Sequence, residues 1–496
     1  MATKPERIAE EVARAVGAGK PVAMETVDFN DPNRPKTCLE VDFPILSVNQ
    51  VAIIEGNASK PIYQMSKWWA RRRSSVFRSM LIAAATKAPD DPSHAAKLVW
   101  DNYYANHQKK GSFKHLKVAD IFMGGGTTLV EGSRLGMQMS GNDLNPVAWF
   151  VVKQELADVD LDEVKRLLAD IEAEVKPQIM PFYYCDGPNG EKGTWTHKPS
   201  GKAMGADFDP LALKPDERRD YSYEGPEIIY TFWAKYGPCQ ATGCGHRTPI
   251  MTSPVMAVKS ISVKSWSNKC QACGIMFDID EVDARMAPDV PLYVAPDEMP
   301  YAVLSQAGRV VCPGCEKSFA AHVHPTTGLH IEGGRGQLRL GKGKNKKVEL
   351  SLLVHPEWLA GSPRQDEDGI EYGGSAKDQF EPTAKWNIDR ATKLRLLEVR
   401  GNLPEAVTCP ESDVTFFTGK EGGTVPRKST FTCQADGREN DVLDAIKASG
   451  KTGPMASYAV QAFSPNRKNS GASYGGRFFL PFREALARQY NASIAG

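Results

Sequence analysis

Residues 118–149 read VADIFMGGGTTLVEGSRLGMQMSGNDLNPVAW. An apolar run ends in three glycines and two threonines, and a second apolar run closes at Asp143. Glycines between a strand and a helix let backbone N–H groups and the helix N-terminus approach a ligand closely. The pattern predicts a strand over 118–122, a glycine turn, a helix over 127–135 and a strand over 137–143, in an α/β fold.

The acidic residue after the second strand suggests what the turn binds. Asp143 follows Gly126 by 17 residues, about the spacing at which a carboxylate can accept hydrogen bonds from both hydroxyls of a ribose. A nucleoside-bearing cofactor is therefore the expected occupant. Dinucleotide sites prefer G-x-G-x-x-G and triphosphate sites G-x-x-x-x-G-K-[ST], and this turn has neither. The alternative is a plain strand–turn–helix beside an unrelated aspartate.

The composition is that of a globular protein of several domains. The chain has 496 residues, 41% of them hydrophobic and 24% charged, with a net charge of +1. Any attraction for nucleic acid would therefore have to come from local patches. There is neither a run of 18 apolar residues nor a signal-like N-terminus, so we expect no membrane partner and a cytoplasmic location.

The pattern of the chain changes at Pro177. Before it we predict helices over 1–20, 61–85 and 95–105, and another that begins after Asp160. Beyond it, short apolar runs such as EIIYTFWAKY, ISVKSW, GIMFDID and VELSLLV predict strands. The expected regions are an N-terminal helix and irregular arm (1–60), a cofactor-binding part (61–176), a zinc-ribbon region (177–290) and a β-rich region (291–496).

Six of the ten cysteines form close pairs, as metal ligands do in a reducing compartment. Two pairs with 25 residues between them predict one structural zinc ribbon with four thiolates, formed by Cys239, Cys244, Cys270 and Cys273. Four unrelated buried cysteines are the alternative. The other candidates, Cys312, Cys315, Cys409 and Cys433, form either one composite site or a ribbon without metal, because Ser412 and Asp436 replace the second cysteines. His322 and His324 are available as substitute ligands.

One basic, glycine-rich run, GGRGQLRLGKGKNKK, occupies residues 333–347. Its glycines would let the backbone follow the phosphates of a nucleic acid. An exposed flexible loop is the alternative. The positive charges are Arg335, Arg339, Lys342, Lys344, Lys346 and Lys347.

Together, DIFMGGGTTLVEGSRLG, GNDLNP, KWWARRR, HPEWL and the cysteine-bearing middle resemble the large adenine-specific DNA methyltransferases that carry an inserted zinc ribbon. The likeness covers most of the chain. It implies S-adenosylmethionine as cofactor, DNA as partner, and part of a doubly wound, Rossmann-like methyltransferase sheet next to a β-rich zinc-ribbon region. The implied cofactor residues are Asp120, Phe122, Gly124, Gly125, Gly126, Thr127, Asp143 and Asn145, and the implied DNA-binding residues are Lys67, Arg71, Arg72, Arg339, Lys342 and Lys344.

Some of these residues have other interpretations. Asn145 and Pro146 are also the N-cap and first residue expected of a helix, and we favour that role. Lys67, Arg71 and Arg72 would suit the methionine carboxylate or a DNA phosphate, and a solvated basic helix face is an equal alternative.

The catalytic residues are not identified. Amino-methylating enzymes hold the target base with an Asp, Asn or Ser followed by Pro-Pro and an aromatic residue, and the chain contains no Pro-Pro dipeptide. Only the first two strands of the expected sheet are recognisable. We therefore expect the catalytic half on a second polypeptide or on a lost C-terminal portion. The rival is a non-catalytic zinc-ribbon protein that binds DNA or regulates, while a dinucleotide oxidoreductase is disfavoured by the glycine spacing.

Overall fold

A computed structural model shows two compact units, Met1–Lys165 and Arg166–Gly496. Both helices and strands are well represented, as the α/β prediction requires. Within the described ranges, no helix combines the length and apolar character needed to cross a bilayer. The helix predicted over 1–20 falls almost entirely outside the described residues. The structure describes residues 17–55, 61–64, 66–333, 336–365, 369, 380–448, 455–471 and 474–495.

The first unit contains a parallel pair of strands, β1 (Lys117–Asp120) and β2 (Gln138–Gly141). Lys117 lies opposite Gln138 and Asp120 opposite Gly141. The prediction of strand, glycine turn, helix and strand is confirmed to within about two residues. A complete doubly wound sheet is not established by two strands. The helices of this unit are α1 (Ile45–Glu55), α2 (Ser74–Ala85), α3 (Ala95–Asp101), α4 (His107–Lys110), α5 (Thr127–Leu135) and α6 (Pro146–Glu155), and α7 (Leu161–Ile179) begins in it.

Local capping explains where two of these helices begin. The Asn145 side chain accepts a hydrogen bond from the N–H of Val147 at 2.9 Å, with Pro146 as the first residue of α6. The predicted N-cap role of Asn145 is therefore confirmed. The Asp160 carboxylate likewise accepts from the N–H groups of the first turn of α7 at 2.9 and 3.3 Å. Both carry out what an N-cap does, which is to satisfy helical donors that have no partner within the helix.

The helix predicted over 61–85 is wrong in its first half. A short 3-10 turn covers Pro61–Gln64, and α2 begins only at Ser74, after an extended Arg73 with ψ of 127°. Tertiary contacts explain the difference. The Trp68 ring lies against Gly125, and the Arg71 side chain reaches the same turn. These contacts outweigh the helix propensity of the segment. The helix predicted over 95–105 ends earlier, at Asp101.

The second unit is rich in strands, and the four apolar runs from which strands were predicted all form them. A six-stranded sheet has the order β10-β17-β16-β8-β9-β11, and four-stranded sheets have the orders β23-β22-β6-β7 and β12-β13-β14-β15. A three-stranded sheet (β4-β3-β5) and the hairpins β18-β19 and β20-β21 complete it. The strands are β3 (Thr194–His197), β4 (Lys202–Ala203), β5 (Tyr221–Glu224), β6 (Glu227–Pro238), β7 (Arg247–Pro249), β8 (Val255–Lys269), β9 (Met276–Asp280), β10 (Leu292–Val294), β11 (Tyr301–Val303), β12 (Arg309–Val311), β13 (Ser318–His324), β14 (Gly328–Gly333), β15 (Gly336–Gly341), β16 (Lys344–Val354), β17 (Leu396–Arg400), β18 (Ala406–Thr408), β19 (Thr415–Phe417), β20 (Thr430–Thr432), β21 (Glu439–Asp441), β22 (Met455–Phe463) and β23 (Arg477–Pro481).

The main core of this unit joins the six-stranded sheet and the sheet β23-β22-β6-β7 to the helices beside them. Leu350 and Leu352 of β16, Val460 of β22 and the rings of Trp358 and Trp386 are all buried in it. Buried and exposed residues alternate over residues 347–350 of β16, as in a pleated strand, and residues 350–354 are all buried. The helices here are α8 (Pro356–Leu359), α9 (Phe380–Thr392), α10 (Val442–Ala448), α11 (Pro465–Asn469) and α12 (Glu484–Ala495).

The basic run over 333–347 is not a flexible loop where the structure describes it. It forms β15 and the start of β16, which pair with β14 and β8. Lys346 bonds to Asp278 at 2.9 Å and to Glu298 at 2.8 Å, so this charge is neutralised within the protein. Arg335 lies outside the described residues. The remaining basic side chains are exposed and are Arg339, Lys342, Lys344 and Lys347.

Candidate functional site

The glycine turn between β1 and α5 depends on glycine for two different reasons. Gly124 and Gly126 have left-handed backbones, with φ of 49° and 73°, and Gly126 is the N-cap of α5. A Cβ atom on Gly126 would lie 2.5 Å from the Val152 side chain, and one on Gly125 would lie 2.8 Å from the Trp68 ring. The turn therefore needs both the conformational freedom and the small size of glycine.

Asp143, at the end of β2, is hydrogen-bonded to this turn. Its Oδ2 accepts from the N–H of Gly124 at 2.8 Å, and its Oδ1 accepts from the N–H of Asn145 at 2.9 Å. These bonds, the one from Asn145 most of all, lower the pKa of Asp143 below its usual value. The carboxylate is therefore ionised and fixed in place at neutral pH. Each oxygen keeps a further lone pair, which is what a ribose hydroxyl would need.

The other predicted cofactor residues surround the turn in different ways. Asp120 accepts from the N–H of Phe122 at 3.1 Å, and the Phe122 ring is 77% exposed. Thr127 is buried, and its hydroxyl donates to the carbonyl of Arg72 at 3.3 Å. The structure thus brings these residues together with Gly124 and Asp143 in the two segments that follow β1 and β2. Their role toward a cofactor stays a prediction.

Arg71 clamps the turn from the other side. Its Nη1 donates to the carbonyl of Gly125 at 2.6 Å, and its Nη2 donates to Glu155 Oε1 at 2.7 Å. The guanidinium also stacks over the Tyr63 ring at 4.3 Å. Lys67 lies 4.1 Å from the Trp69 ring, and the Trp69 side chain is 87% exposed. Of the three predicted basic residues of this segment, Arg71 is therefore engaged with the turn itself.

Two buried carboxylates near the turn were not predicted from the sequence. Glu155 is the partner of Arg71, and burial raises its pKa although Arg71 opposes the change. Glu131, in the middle of α5, accepts from the hydroxyl of Ser74 and lies 3.6 Å from Arg78. A glutamate within the apolar face of TTLVEGSRL was the available signal for Glu131. No comparable signal marked Glu155, because it stands at the end of its helix.

The cysteines assemble differently from the prediction. Cys239, Cys244, Cys270 and Cys273 do not form one site. The structure places the pair Cys270 and Cys273 with the third pair, so that the Sγ atoms of Cys270 and Cys315 are 3.8 Å apart. The two groups, each with its ligand atoms within 4.8 Å of one another, are Cys270, Cys273, Cys312 and Cys315, and Cys239, Cys244, Cys433 and Asp436.

Sheet topology explains why the prediction was wrong. The turn with Cys239 joins β6 to β7 in the sheet β23-β22-β6-β7, whereas the turn with Cys270 joins β8 to β9 in the six-stranded sheet. The 25 residues between these turns do not bring them together, because the turns end different sheets. The partner of each turn comes from later in the chain, and it is the β20-β21 turn for Cys239 and the β12-β13 turn for Cys270.

The first group fits a zinc ion with four thiolates. Two of its Sγ–Sγ separations are 3.8 and 3.7 Å, and tetrahedral zinc with Zn–S near 2.3 Å requires edges of about 3.8 Å. Gly274, which follows Cys273, has φ of 80°, as expected for a tight turn there. Gly245 after Cys244 has φ of 59°. Such a group can hold a metal, and a filled four-thiolate shell leaves no position for a reacting water.

Cys409 belongs to neither group. It lies in a turn between β18 and β19, and Ser412 stands where a second cysteine would be. The Ser412 hydroxyl is 2.9 Å from Nε2 of the buried His355. His322 and His324, the predicted substitute ligands, also lie outside both groups, and His322 instead stacks on His330 with ring centroids 5.1 Å apart.

Comparison with known proteins gives one short similarity. The chain is 30% identical over 67 residues to "Type II methyltransferase M.MvaI" of Kocuria varians. The match covers 14% of this chain and 15% of that protein, so it indicates a methyltransferase relationship over a short segment. No protein-family model matches the chain. No solved structure is similar to it.

Proposed function

We propose that this chain is the cofactor-binding, zinc-ribbon-bearing half of an S-adenosylmethionine-dependent DNA methyltransferase that acts on the N6 of adenine. The observation that carries the proposal is the connection from β1 through Gly124–Gly126 to α5, with Asp143 bonded across to Gly124 from the end of β2. This is the arrangement in which a bare turn and an acidic residue meet one nucleoside. The short similarity to a type II methyltransferase supports the same chemistry.

Each element of the turn has a task in this proposal. The glycines let the donor approach the backbone, and the ionised Asp143 accepts from the ribose hydroxyls with its remaining lone pairs. The exposed Phe122 ring offers an apolar face for the adenine of the donor. Arg71, itself paired with Glu155, holds the carbonyl of Gly125 so that the turn keeps its shape. When bound, S-adenosylmethionine supplies the methyl group.

Zinc has a structural role in the proposal. Cys270, Cys273, Cys312 and Cys315 would bind one zinc ion as four thiolates. The ion would join the β8-β9 turn to the β12-β13 turn and so fix the sheet that contains β15. The exposed Arg339, of β15, with Lys342 and Lys344 beside it, would then contact DNA phosphates.

The proposal includes a second polypeptide that carries the catalytic Pro-Pro-aromatic loop and the remaining strands. In unit one, apolar side chains next to the turn are exposed, among them Ile121 at 63%, Leu144 at 92% and Phe150 at 55%. A parallel pair of strands is stable only when neighbouring strands and helices bury both faces. A partner that extends the sheet would cover these side chains and present the target base to the donor.

Calorimetric titration of the full chain with S-adenosylmethionine and, separately, with NAD tests the cofactor. We expect binding of the methyl donor alone, and Asp143→Asn should weaken it about tenfold or more, because a charge-assisted pair is lost. Asp160→Asn is the matched control, since Asp160 also accepts backbone N–H groups but caps a different helix. Binding of NAD, or equal donor affinity in Asp143→Asn and Asp160→Asn, would contradict the proposal.

A non-catalytic DNA-binding protein is the second candidate, and the exposed basic side chains of β15 and β16 favour it. The two differ in the donor titration, because that protein would bind DNA and neither S-adenosylmethionine nor NAD.

A further inference from the structure

The second ligand group, Cys239, Cys244, Cys433 and Asp436, includes one turn that has no second cysteine. The backbone of that turn has the same hydrogen bond as the turns of the first group. In the Cys270 and Cys312 turns, the N–H four residues on donates back to the cysteine carbonyl, at 3.0 and 2.9 Å. The Cys433 turn makes the same bond at 2.9 Å, from Gly437, which has φ of 71°. Asp436 thereby occupies the position that the second cysteine has in the other two turns.

The ligand atoms of this group have the separations that a tetrahedral ion requires. Cys239 Sγ is 3.3 Å from Asp436 Oδ2, and Cys244 Sγ is 3.9 Å from Cys433 Sγ. With Zn–S near 2.3 Å and Zn–O near 2.0 Å, a tetrahedral ion gives edges of about 3.8 Å between sulfurs and about 3.5 Å between sulfur and oxygen. The group is therefore nearly the right size without any rearrangement.

Surrounding polar groups orient the ligands, as they do around metal ions in general. The N–H of Arg438 donates to Asp436 Oδ1 at 2.9 Å, which leaves Oδ2 directed toward Cys239. Asn440 Nδ2 is 3.6 Å from Cys239 Sγ, and its Oδ1 accepts from the N–H of Gln240 at 2.8 Å. Asn440 thus bridges the two turns that supply the ligands, and it is itself buried.

We propose that Cys239, Cys244, Cys433 and Asp436 bind a second structural zinc ion through three thiolates and one carboxylate. The ion joins the β6-β7 turn to the β20-β21 hairpin. Cys244 and Cys433, one in each turn, are 189 positions apart in the sequence. Asp436 is thus the ligand at the position where the turns of the first group have a second cysteine. The charge of the filled site is the same as that of a four-thiolate site, because the carboxylate and the thiolate each carry one negative charge.

Metal analysis of the purified full chain after dialysis tests this proposal. We expect two zinc ions per chain in the wild type and one in Cys433→Ser. Asp436→Asn, which keeps the size of the side chain, should lose its second ion to a chelator at a concentration that leaves the wild type loaded. Cys409→Ser is the matched control and should keep both ions, because Cys409 lies in a turn of the same backbone pattern outside both groups.

The variant Asp436→Cys gives a measurement that does not depend on losing the metal. In protein lacking the first site through Cys312→Ser and Cys315→Ser, cobalt bound at the second site should have three thiolate ligands. Adding Asp436→Cys should raise its thiolate-to-cobalt charge-transfer absorption by about one third, because the number of thiolates rises from three to four. One zinc per chain in the wild type, full retention under chelator in Asp436→Asn, or unchanged absorption in Asp436→Cys would each overturn the assignment.

Discussion

Replacing Arg71 by alanine tests how the glycine turn is held. Arg71 has a side chain that is 12% exposed, and that of Glu155 is 0% exposed. The substitution removes the bond to the carbonyl of Gly125 and leaves the Glu155 carboxylate buried without its charged partner. Removing one partner of a buried pair costs about 3 kcal/mol at the lower end, which suits a pair whose arginine is still partly in contact with water.

That cost should appear locally and depend on pH. About 3 kcal/mol corresponds to a roughly 150-fold change in the opening equilibrium of the turn. Burial raises the pKa of Glu155, and Arg71 opposes that increase. A carboxyl group whose pKa is raised on folding favours the folded state below its unfolded pKa, and this contribution is lost as the pH rises through the folded pKa. The pKa rises further without Arg71, so the defect of Arg71→Ala should be largest near neutral pH and shrink as the pH falls toward the ordinary pKa of a glutamate.

Hydrogen exchange of the amides of β1 and α5 in the full chain measures this opening, and titration with S-adenosylmethionine measures its consequence. We expect faster exchange and weaker donor binding in Arg71→Ala. The double variant Arg71→Ala with Glu155→Gln should recover about half of the lost protection, because no charge then remains buried. Wild-type exchange and donor affinity in Arg71→Ala would refute the clamp, whereas a loss confined to DNA affinity would make Arg71 a phosphate contact.

Three further predictions concern other parts of the chain. Gly126→Ala should abolish donor binding and destabilise unit one, because the added Cβ meets Val152 at 2.5 Å. Gly111→Ala, with a similar φ of 67° and no atom within 4 Å, should show only the backbone strain in thermal unfolding. Lys342→Ala with Lys344→Ala should reduce the slope of log affinity for DNA against log salt concentration by about 0.9 for each phosphate that is no longer neutralised. Filter binding at several salt concentrations measures this slope, and Lys393→Ala, at another exposed lysine, should leave it unchanged. Cys312→Ser should lose one zinc ion per chain and lower the thermal midpoint of unit two, and unchanged zinc content would exclude the four-thiolate site.

The sequence was sufficient where structure depends on neighbours along the chain. Consecutive glycines after an apolar run, and Asn145 before Pro146, specify their local backbone almost alone, and the structure has the turn and the cap there. The short apolar runs of β6, β8, β9 and β16 likewise predicted strands that form. Capping, positive φ and pleat period are all determined within a few residues.

The sequence was insufficient where a contact joins distant segments. KWWARRR has the propensity of a helix, yet Arg71 turns to bond with Gly125, 54 residues away, and with Glu155, 84 residues away. The basic run looked like a loop because its glycines break helical and strand patterns. In the structure, those glycines accommodate strand β15 and its bulge against β14. Neither outcome can be derived from composition, since each depends on which element lies opposite.

The ligand groups show the same limit in its sharpest form. The turns at Cys270, Cys312, Cys409 and Cys433 can each be recognised from a cysteine, the residue three positions later and the bend that follows, even where Asp436 or Ser412 stands for the second cysteine, and the Cys239 turn has its second cysteine five positions later. Which two turns face each other depends on the order of strands in the sheets, and that order separates Cys239 from Cys270 while it joins Cys244 to Cys433.

The contribution of the proposed second polypeptide to donor binding at the glycine turn can be measured. Trp68, Arg71 and Asp143, which contact the turn, belong to this chain. Apolar side chains beside it, such as Ile121 and Leu144, are exposed. On the proposed function, the donor affinity of the chain alone therefore measures how tightly the turn by itself binds S-adenosylmethionine. The gain in affinity on adding the catalytic half measures the contribution of the partner surface that covers those side chains. A preformed turn without that partner surface should bind the donor weakly before assembly and tightly after it, because the turn needs no further ordering when the partner binds.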